Sequence, residues 1–355
     1  MSAAADGSVW LRPLGAVYGW AAARRRARYR RHPQLQQALT RPVISVGNLS
    51  VGGSGKTPLV VALATLLREW GERPAVLSRG YRRQSGGAGV LVVSDAGGVR
   101  VPVDASGDEP QLLARRLPGI PVLVAADRYE AGCLAEQDFG CTVHVLDDGF
   151  QHLRLARDLD VLLIGERDLR DHVLPAGRLR EPLAAAWEAD LWLTPDLDPA
   201  RLAGAPALVA ARSALGAGVA VPPSFGVALH VGAPRLVAPF GQVAGVAPGR
   251  AVAVAGIARP ERFFASARAA GWTLEREMVF ADHHWFTAGD WRDVRAAAEA
   301  TGAGTVLTTE KDAVRLERLV AAEPGGVQAC YLPIDLILGE ALTTWLRTRL
   351  AERAA

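Results

Sequence analysis

The chain has 355 residues, of which half are hydrophobic and 22% charged, with a formal net charge of +3. That length suits about two domains, and the balance excludes disorder, collagen and coiled coil as descriptions of the whole. The longest apolar runs, such as 58–67, fall far short of the ~18 residues of a membrane span, the three cysteines are too scattered for a disulfide framework or a zinc site, and no signal-peptide pattern opens the chain, so a cytosolic protein is expected.

The charge is uneven. Residues 1–41 carry eight arginines against the single acid Asp6, a local +7, and the rest sums to −4. Only Lys56 and Lys311 are lysines, and Asn48 is the only asparagine. Arginine and lysine differ in shape and hydration, so a chain that has replaced lysine nearly everywhere keeps it where a compact point charge is needed.

Residues 8–31 read as an amphipathic helix. Trp10, Leu14, Val17, Tyr18 and Ala21 recur on one helical face, and Arg24, Arg25, Arg26, Arg28, Arg30 and Arg31 crowd the C-terminal end, where cations suit the helix dipole. Two placements fit: lying on an anionic membrane surface, or packed on the helix's own domain with a solvated basic end. No aromatic-interleaved basic groove or reader motif points to nucleic acid.

From Pro42 the pattern becomes α/β. Strands are predicted at 43–46, 74–77, 122–125, 142–146 and 161–164, helices at 58–70, 110–117 and 128–138, and a hairpin from 90–93 and 99–103. Strands alternating with helices imply a parallel sheet covered on both faces. A Pro-, Gly- and Ala-rich stretch follows near 195–250, with two apolar runs, 225–230 and 236–240, read as a two-stranded connection. Strands at 251–255 and 305–308 and helices at 260–270, 290–300 and 338–350 then form a smaller α/β unit. The expected division is 1–222, a linker at 223–246, and 247–355.

The strongest chemical signal is Ser50-Val-Gly52-Gly53-Ser54-Gly55-Lys56-Thr57, between a strand and a helix. Such a loop wraps phosphates with backbone N–H groups, reaches the β/γ-phosphates with its lysine and offers a hydroxyl to Mg²⁺. Ser50 stands where the first glycine of the usual pattern would be. A P-loop also needs an acid at the end of a neighbouring strand; Asp147-Asp148-Gly149 supplies two, although Asp-Gly is also turn chemistry, and the P-loop upstream favours the metal reading. Ser78-Arg79-Gly80-Tyr81, Asp108-Glu109-Pro110, Asp127-Arg128 and Gln151-His152 fall where parallel sheets bind ligands. Asp108 also makes a good helix cap. Asp282-His283-His284 offers a general base or packing histidines. Thr308-Thr-Glu-Lys311-Asp312 reads best as a helix start capped by Thr309.

Together these motifs resemble the lipid A 4′-kinase (tetraacyldisaccharide 4′-kinase) family. The similarity runs in order through Ser45-Val-Gly-Asn-Leu-Ser-Val-Gly-Gly-Ser-Gly-Lys-Thr-Pro58, Leu77-Ser-Arg-Gly-Tyr81, Gly107-Asp-Glu-Pro110, Asp127-Arg128, Leu146-Asp-Asp-Gly-Phe-Gln-His152, Leu174-Pro-Ala-Gly-Arg-Leu-Arg-Glu-Pro182, Gly256-Ile-Ala-Arg-Pro260, Asp282-His-His284 and Thr308-Thr-Glu-Lys-Asp312. The segment Arg170-Asp171-His172 and Arg178 depart from the pattern. The resemblance implies a P-loop NTPase-type parallel-sheet domain joined by a two-stranded link to a smaller α/β domain. It implies transfer of the γ-phosphoryl of ATP to the 4′-hydroxyl of a tetraacyldisaccharide 1-phosphate, with Mg²⁺, by a monomer at the cytoplasmic face of the inner membrane. Carried across, Gly52, Gly53, Ser54, Gly55, Lys56 and Thr57 with Gln151 and His152 would hold ATP. Thr57, Asp147 and Asp148 would hold Mg²⁺, Asp108 and His283 would form the proton-abstracting dyad, and Tyr81, Glu109, Arg128 and Arg180 would meet the substrate. With Asp108 in the first expected domain and His283 in the second, the dyad would assemble on domain closure. The alternative is a P-loop ATPase acting as a switch or metallochaperone. A GTPase is excluded, because the sole asparagine precedes the P-loop and no Asn-Lys-x-Asp motif can occur.

Overall fold

The computed structural model describes residues 9–53, 55–80, 89–213, 215 and 219–354. Its strands, in chain order, are β1 (Val43–Asn48), β2 (Pro74–Ser78), β3 (Leu91–Asp95), β4 (Gly98–Val99), β5 (Val122–Val124), β6 (Val143–Asp147), β7 (Leu159–Leu163), β8 (Leu191–Thr194), β9 (Ser224–Gly226), β10 (Ala228–Val231), β11 (Arg235–Leu236), β12 (Arg250–Ala255), β13 (Thr273–Val279), β14 (Thr305–Thr309), β15 (Gln328–Leu332) and β16 (Ile334–Ile337). The chain divides into two compact units: Met1–Arg79 with Ala125–Ala228 and Leu336–Ala355, and Gly80–Val124 with Leu229–Asp335.

The first unit is built on six parallel strands in the order β2-β6-β1-β7-β8-β9. β1, β2, β6, β7 and β8 are buried at every residue, as continuous apolar strands must be when both faces are covered. Neighbouring strands leave β1 in opposite directions, which makes its C-terminal end a switch point where ligands bind. The register pairs Val46 with Asp147, so the loop after β1 and the acids after β6 emerge side by side. Leu49, Phe150, Leu162, Trp187 and Trp192 pack into one core cluster, with the two indoles edge to face at 4.8 Å.

The expected N-terminal helix is present as Val9–Leu11 followed by Arg12–Arg31. Its buried residues are Gly15, Gly19 and Arg26, not its apolar stripe. The glycines let the backbone come close: a Cβ at Gly15 would lie 3.0 Å from the Val173 carbonyl oxygen, and one at Gly19 would lie 3.4 Å from the Pro182 ring. Arg26 Nε donates to Glu181 Oε2 at 2.6 Å and Nη2 donates to the Phe150 carbonyl at 2.9 Å, with the guanidinium 4.2 Å from the Phe150 ring centre. The apolar stripe faces outward, with Trp10 85% exposed and Val17 65% exposed.

The second unit carries a five-stranded sheet, β11-β15-β14-β12-β13, parallel except at β11. It also carries the antiparallel strands β3, β4 and β5. Helix Asp108–Arg116 lies against helix Glu310–Ala322: Arg115 Nη1 donates to Glu317 Oε1 at 3.0 Å and Arg116 Nη1 to Glu310 Oε1 at 2.9 Å, while Val103, Leu112 and Val314 share a small core.

The units differ from the expected division in three respects. Segment 80–124 groups with 229–335, because Asp108–Arg116 packs on Glu310–Ala322. The C-terminal helix Glu340–Ala354 groups with the first unit, where Trp345 meets Phe225 at 6.3 Å between ring centres. The two-stranded pairing joins β10 to β16, about a hundred residues later, while the neighbouring run supplies β11, which pairs with β15. Sequence patterning also passed over β8, β13, β15 and β16. β13 is an edge strand with scarcely any buried residues, so it shows no core-facing alternation.

Candidate active site

The first cluster of site residues grows out of the β1 loop. Gly52 and Gly55 hold φ of 102° and 90°, a left-handed backbone that side chains disfavour, and Gly55 precedes helix Lys56–Glu69. The loop is stitched to a neighbouring segment: Val51 N–H donates to the Arg178 carbonyl at 2.8 Å and Arg180 N–H to the Leu49 carbonyl at 2.7 Å. Two of the departures from the family pattern answer each other in that segment, with Arg178 Nε donating to Asp171 Oδ2 at 2.7 Å.

Lys56 Nζ donates to Asn48 Oδ1 at 2.8 Å and lies 3.4 Å from Asp148 Oδ1. Arg180 grips Asp148 with two bonds of 2.8 Å and donates to Asn48 Oδ1 at 2.6 Å. Burial opposes the charge on Asp148, but the Arg180 bonds and the Lys56 cation outweigh it and hold the carboxyl well below the ordinary carboxylate range. Asp147 Oδ2 accepts the Ser78 hydroxyl at 3.1 Å. Arg128 Nη1 donates to His152 Nδ1 at 3.3 Å. Burial, then the Arg128 charge, push His152 down to about 3, so it is a neutral ring. Gln151 Nε2 donates to the Asn48 carbonyl at 3.1 Å. His152 Nε2 and Gln151 Oε1 are buried without a hydrogen-bonding partner among the described residues, which leaves one donor, the Nε2–H of the neutral ring, and one acceptor for a ligand. Ser54 and Tyr81 lie outside the described residues.

The second cluster lies wholly within the second unit. His283 Nδ1 is 2.8 Å from Asp108 Oδ2, so the expected dyad is made inside one unit and does not wait for domains to close. Gly107, at φ 86°, starts the helix, and the expected cap bond is absent: the Asp108 carboxylate turns to His283. Burial opposes ionisation of Asp108, yet the His283 bond and the charges of Arg315 and Lys311 hold it down at about 2. The Asp108 bond raises His283 above its ordinary 6.5, against burial and the Lys311 charge. Glu109 is ion-paired with Lys311, which gives the second lysine a partner the sequence did not disclose. Asp148 and His283, at φ 52° and 61°, are the non-glycine residues with positive φ among those described. Strain of this kind persists where surrounding structure enforces it, commonly at functional sites.

Sequence reasoning missed Asn48 as a site residue. Its amide oxygen joins Lys56 to Arg180, and the available signal was that it is the only asparagine in the chain. Asp147 and Asp148 carry carboxylates and Thr57 a hydroxyl, the hard oxygens that Mg²⁺ takes, and both Asp148 oxygens are held by Arg180.

A parallel sheet with a glycine loop, lysine and threonine at its switch point defines a P-loop phosphotransferase fold. The family model described as tetraacyldisaccharide-1-P 4′-kinase matches residues 7–351, and the chain belongs to that family. The tetraacyldisaccharide 4′-kinase of Anaeromyxobacter dehalogenans strain 2CP-C is 41% identical over 338 residues, 90% of this chain and 88% of that one. The enzyme of the same name from Halorhodospira halophila is 40% identical over 348 residues, 97% and 94% of the two chains. Among solved structures, LpxK from Aquifex aeolicus, an "apo" form in complex with ATP, superposes with a TM-score of 0.75 at 31% identity, covering 97% of this chain and 99% of that one.

Proposed function

We propose that this chain transfers the γ-phosphoryl of ATP to the 4′-hydroxyl of a tetraacyldisaccharide 1-phosphate, a step of lipid A assembly at the cytoplasmic face of the inner membrane. The observation that carries the reading is the Asp108–His283 contact of 2.8 Å: an ATPase switch has no alcohol to deprotonate, whereas a kinase acting on a sugar hydroxyl does. Asp108 selects the tautomer with hydrogen on Nδ1 and the lone pair on Nε2, which takes the hydroxyl proton as the oxygen attacks phosphorus. Lys56 stabilises charge on the transferring group, and the Gly52–Thr57 loop cradles the phosphates of ATP. Thr57, Asp147 and Asp148 would hold Mg²⁺, which supplies charge neutralisation on the phosphates. Glu109, Arg128 and Arg180 serve substrate positioning, and Gln151 and His152 serve the nucleotide. Incubation with ATP, Mg²⁺ and the disaccharide 1-phosphate should yield a 4′-phosphate, with little ATP hydrolysis when the lipid is left out. Rapid hydrolysis without an acceptor and no lipid product would mark the switch instead.

The outward stripe of the N-terminal helix gives the enzyme a way to reach an acylated substrate. Trp10, Leu14, Val17 and Trp20 are exposed beside a row of exposed arginines, a pairing suited to anionic interfaces. No helix among the described residues is long and apolar enough to cross a membrane. Deleting the helix would be a poor test, because Glu181 would lose Arg26 and be left buried without its charge partner, a strongly destabilising change. Replacing Trp10, Leu14, Val17 and Trp20 with serine leaves that pair intact. The quadruple variant should bind ATP as before but release from phosphatidylglycerol vesicles in a flotation assay; undiminished flotation would refute the membrane role.

A further inference from the structure

The Thr308–Asp312 motif does more than start a helix. Thr309 does cap helix Glu310–Ala322, its Oγ1 accepting the Asp312 N–H at 3.1 Å. The Asp312 carboxylate, 0% exposed, then turns back into the unit. Its Oδ2 accepts the Thr309 hydroxyl at 2.6 Å and the Gly256 N–H at 3.0 Å. Its Oδ1 is ion-paired with Arg315, one turn along the helix. Arg315 Nη2 also donates to the Gly256 carbonyl at 3.2 Å, and that same carbonyl accepts the His283 N–H at 3.0 Å. One buried ion pair therefore grips Gly256 at both its N–H and its C=O, and Gly256 in turn holds the backbone of His283 in its left-handed conformation. A Cβ at Gly256 would lie 3.1 Å from Asp312 Oδ1, so a side chain there would press on the carboxylate of the grip. The other edge of the guanidinium faces the dyad: Arg315 Nη1 lies 3.7 Å from Asp108 Oδ2 and has no hydrogen-bonding partner among the described residues. A fully buried ion pair is seldom the cheapest way to stabilise a core, so its retention asks for a geometric reason.

We propose that Asp312 and Arg315 are positioning residues for the Asp108–His283 pair, clamping the Gly256 backbone that fixes His283 and setting a cation beside the Asp108 carboxylate. The inference rests on the reading of His283 as base, and the test separates the two. His283 is faced by Asp108 from helix Asp108–Arg116, by Asp282 of its own loop at 3.9 Å and by Lys311 from helix Glu310–Ala322. The decisive variant is the charge-neutral pair Asp312→Asn with Arg315→Gln in the full chain, because it removes one charge of each sign. The imidazole titration of His283 is followed by NMR together with kcat on the lipid acceptor, KM for ATP and thermal melting. Loss of the clamp weakens the Asp108 bond, so the His283 midpoint should fall toward 6.5. kcat should fall about 10- to 100-fold, part of the 10²–10⁴ a general base supplies, with KM for ATP unchanged. Gly256→Ala keeps every charge and should move the midpoint the same way, and it decides the matter if the double variant does not fold. A midpoint that stays put or rises, with wild-type kcat, overturns the positioning role. If His283→Ala retains full kcat, the base reading falls, while the midpoint still reports whether Asp312 and Arg315 position the pair.

Discussion

Replacing His283 with alanine is expected to lower kcat by about 10²- to 10⁴-fold while leaving KM for ATP unchanged. The P-loop contacts belong to other residues, so nucleotide affinity is spared and the loss falls on the step in which the sugar oxygen attacks. A histidine can act as base only as the neutral ring. Because the Asp108 bond raises His283 above 6.5, activity should decline as pH falls through that raised value. Asp108→Asn removes the carboxylate that raises it, so the acidic limb of the pH profile should move to lower pH while the plateau drops by about 10²-fold or more. The two variants therefore lose rate with different signatures: one loses the limb, the other shifts it. Asp108 itself is not the group that titrates in the working range, since it is held at about 2 and is ionised throughout. Steady-state kinetics from pH 5 to 9 on both variants decides the point; an unshifted limb in Asp108→Asn would separate that residue from the base.

What the sequence disclosed, and what it hid, follows the range of the interactions concerned. The strand–loop–helix around Lys56 is local: glycines, a lysine and a threonine at fixed spacing state their backbone geometry and their chemistry together. Buried parallel strands announced themselves as apolar runs, so β1, β2 and β6 were found, and the acids after β6 could be placed. β13 was lost because an exposed edge strand has no core face to write into the sequence. The resemblance paired Asp108 with His283, yet only the packing of helix Asp108–Arg116 on Glu310–Ala322 shows that both lie in one unit. Arg315 was invisible because the Asp108 carboxylate it faces is distant in the chain, and although Gly256 opens one of the motifs, nothing local marks a glycine whose N–H and C=O are both spoken for. The N-terminal helix shows a subtler limit. Its periodicity was legible, but periodicity could not tell which face the molecule buries; the buried face carries Gly15, where a Cβ would lie only 3.0 Å from the Val173 carbonyl oxygen.

Lys56→Met should lower kcat by about 10²- to 10³-fold, the usual cost of removing one preorganised donor to a transferring group. The loss should not trace to protonation of Asp148, because Arg180 still grips that carboxylate with two 2.8 Å bonds and keeps it ionised. The more telling substitution is Lys56→Arg. All but two of the forty basic residues in this chain are arginine, so whatever pressure favours arginine elsewhere has failed here. Nζ is a compact ammonium that fits between Asn48 Oδ1 at 2.8 Å and Asp148 Oδ1 at 3.4 Å. A planar guanidinium is broader and binds as a fork, and it would compete with Arg180 for the same two oxygens. Lys56→Arg should therefore keep the charge and recover less than about a tenth of the activity that Lys56→Met loses. The comparison needs kcat and KM for ATP from both variants under saturating lipid. Wild-type turnover in Lys56→Arg would mean that the site asks only for a positive charge, and the survival of lysine at this position would then carry no chemical meaning.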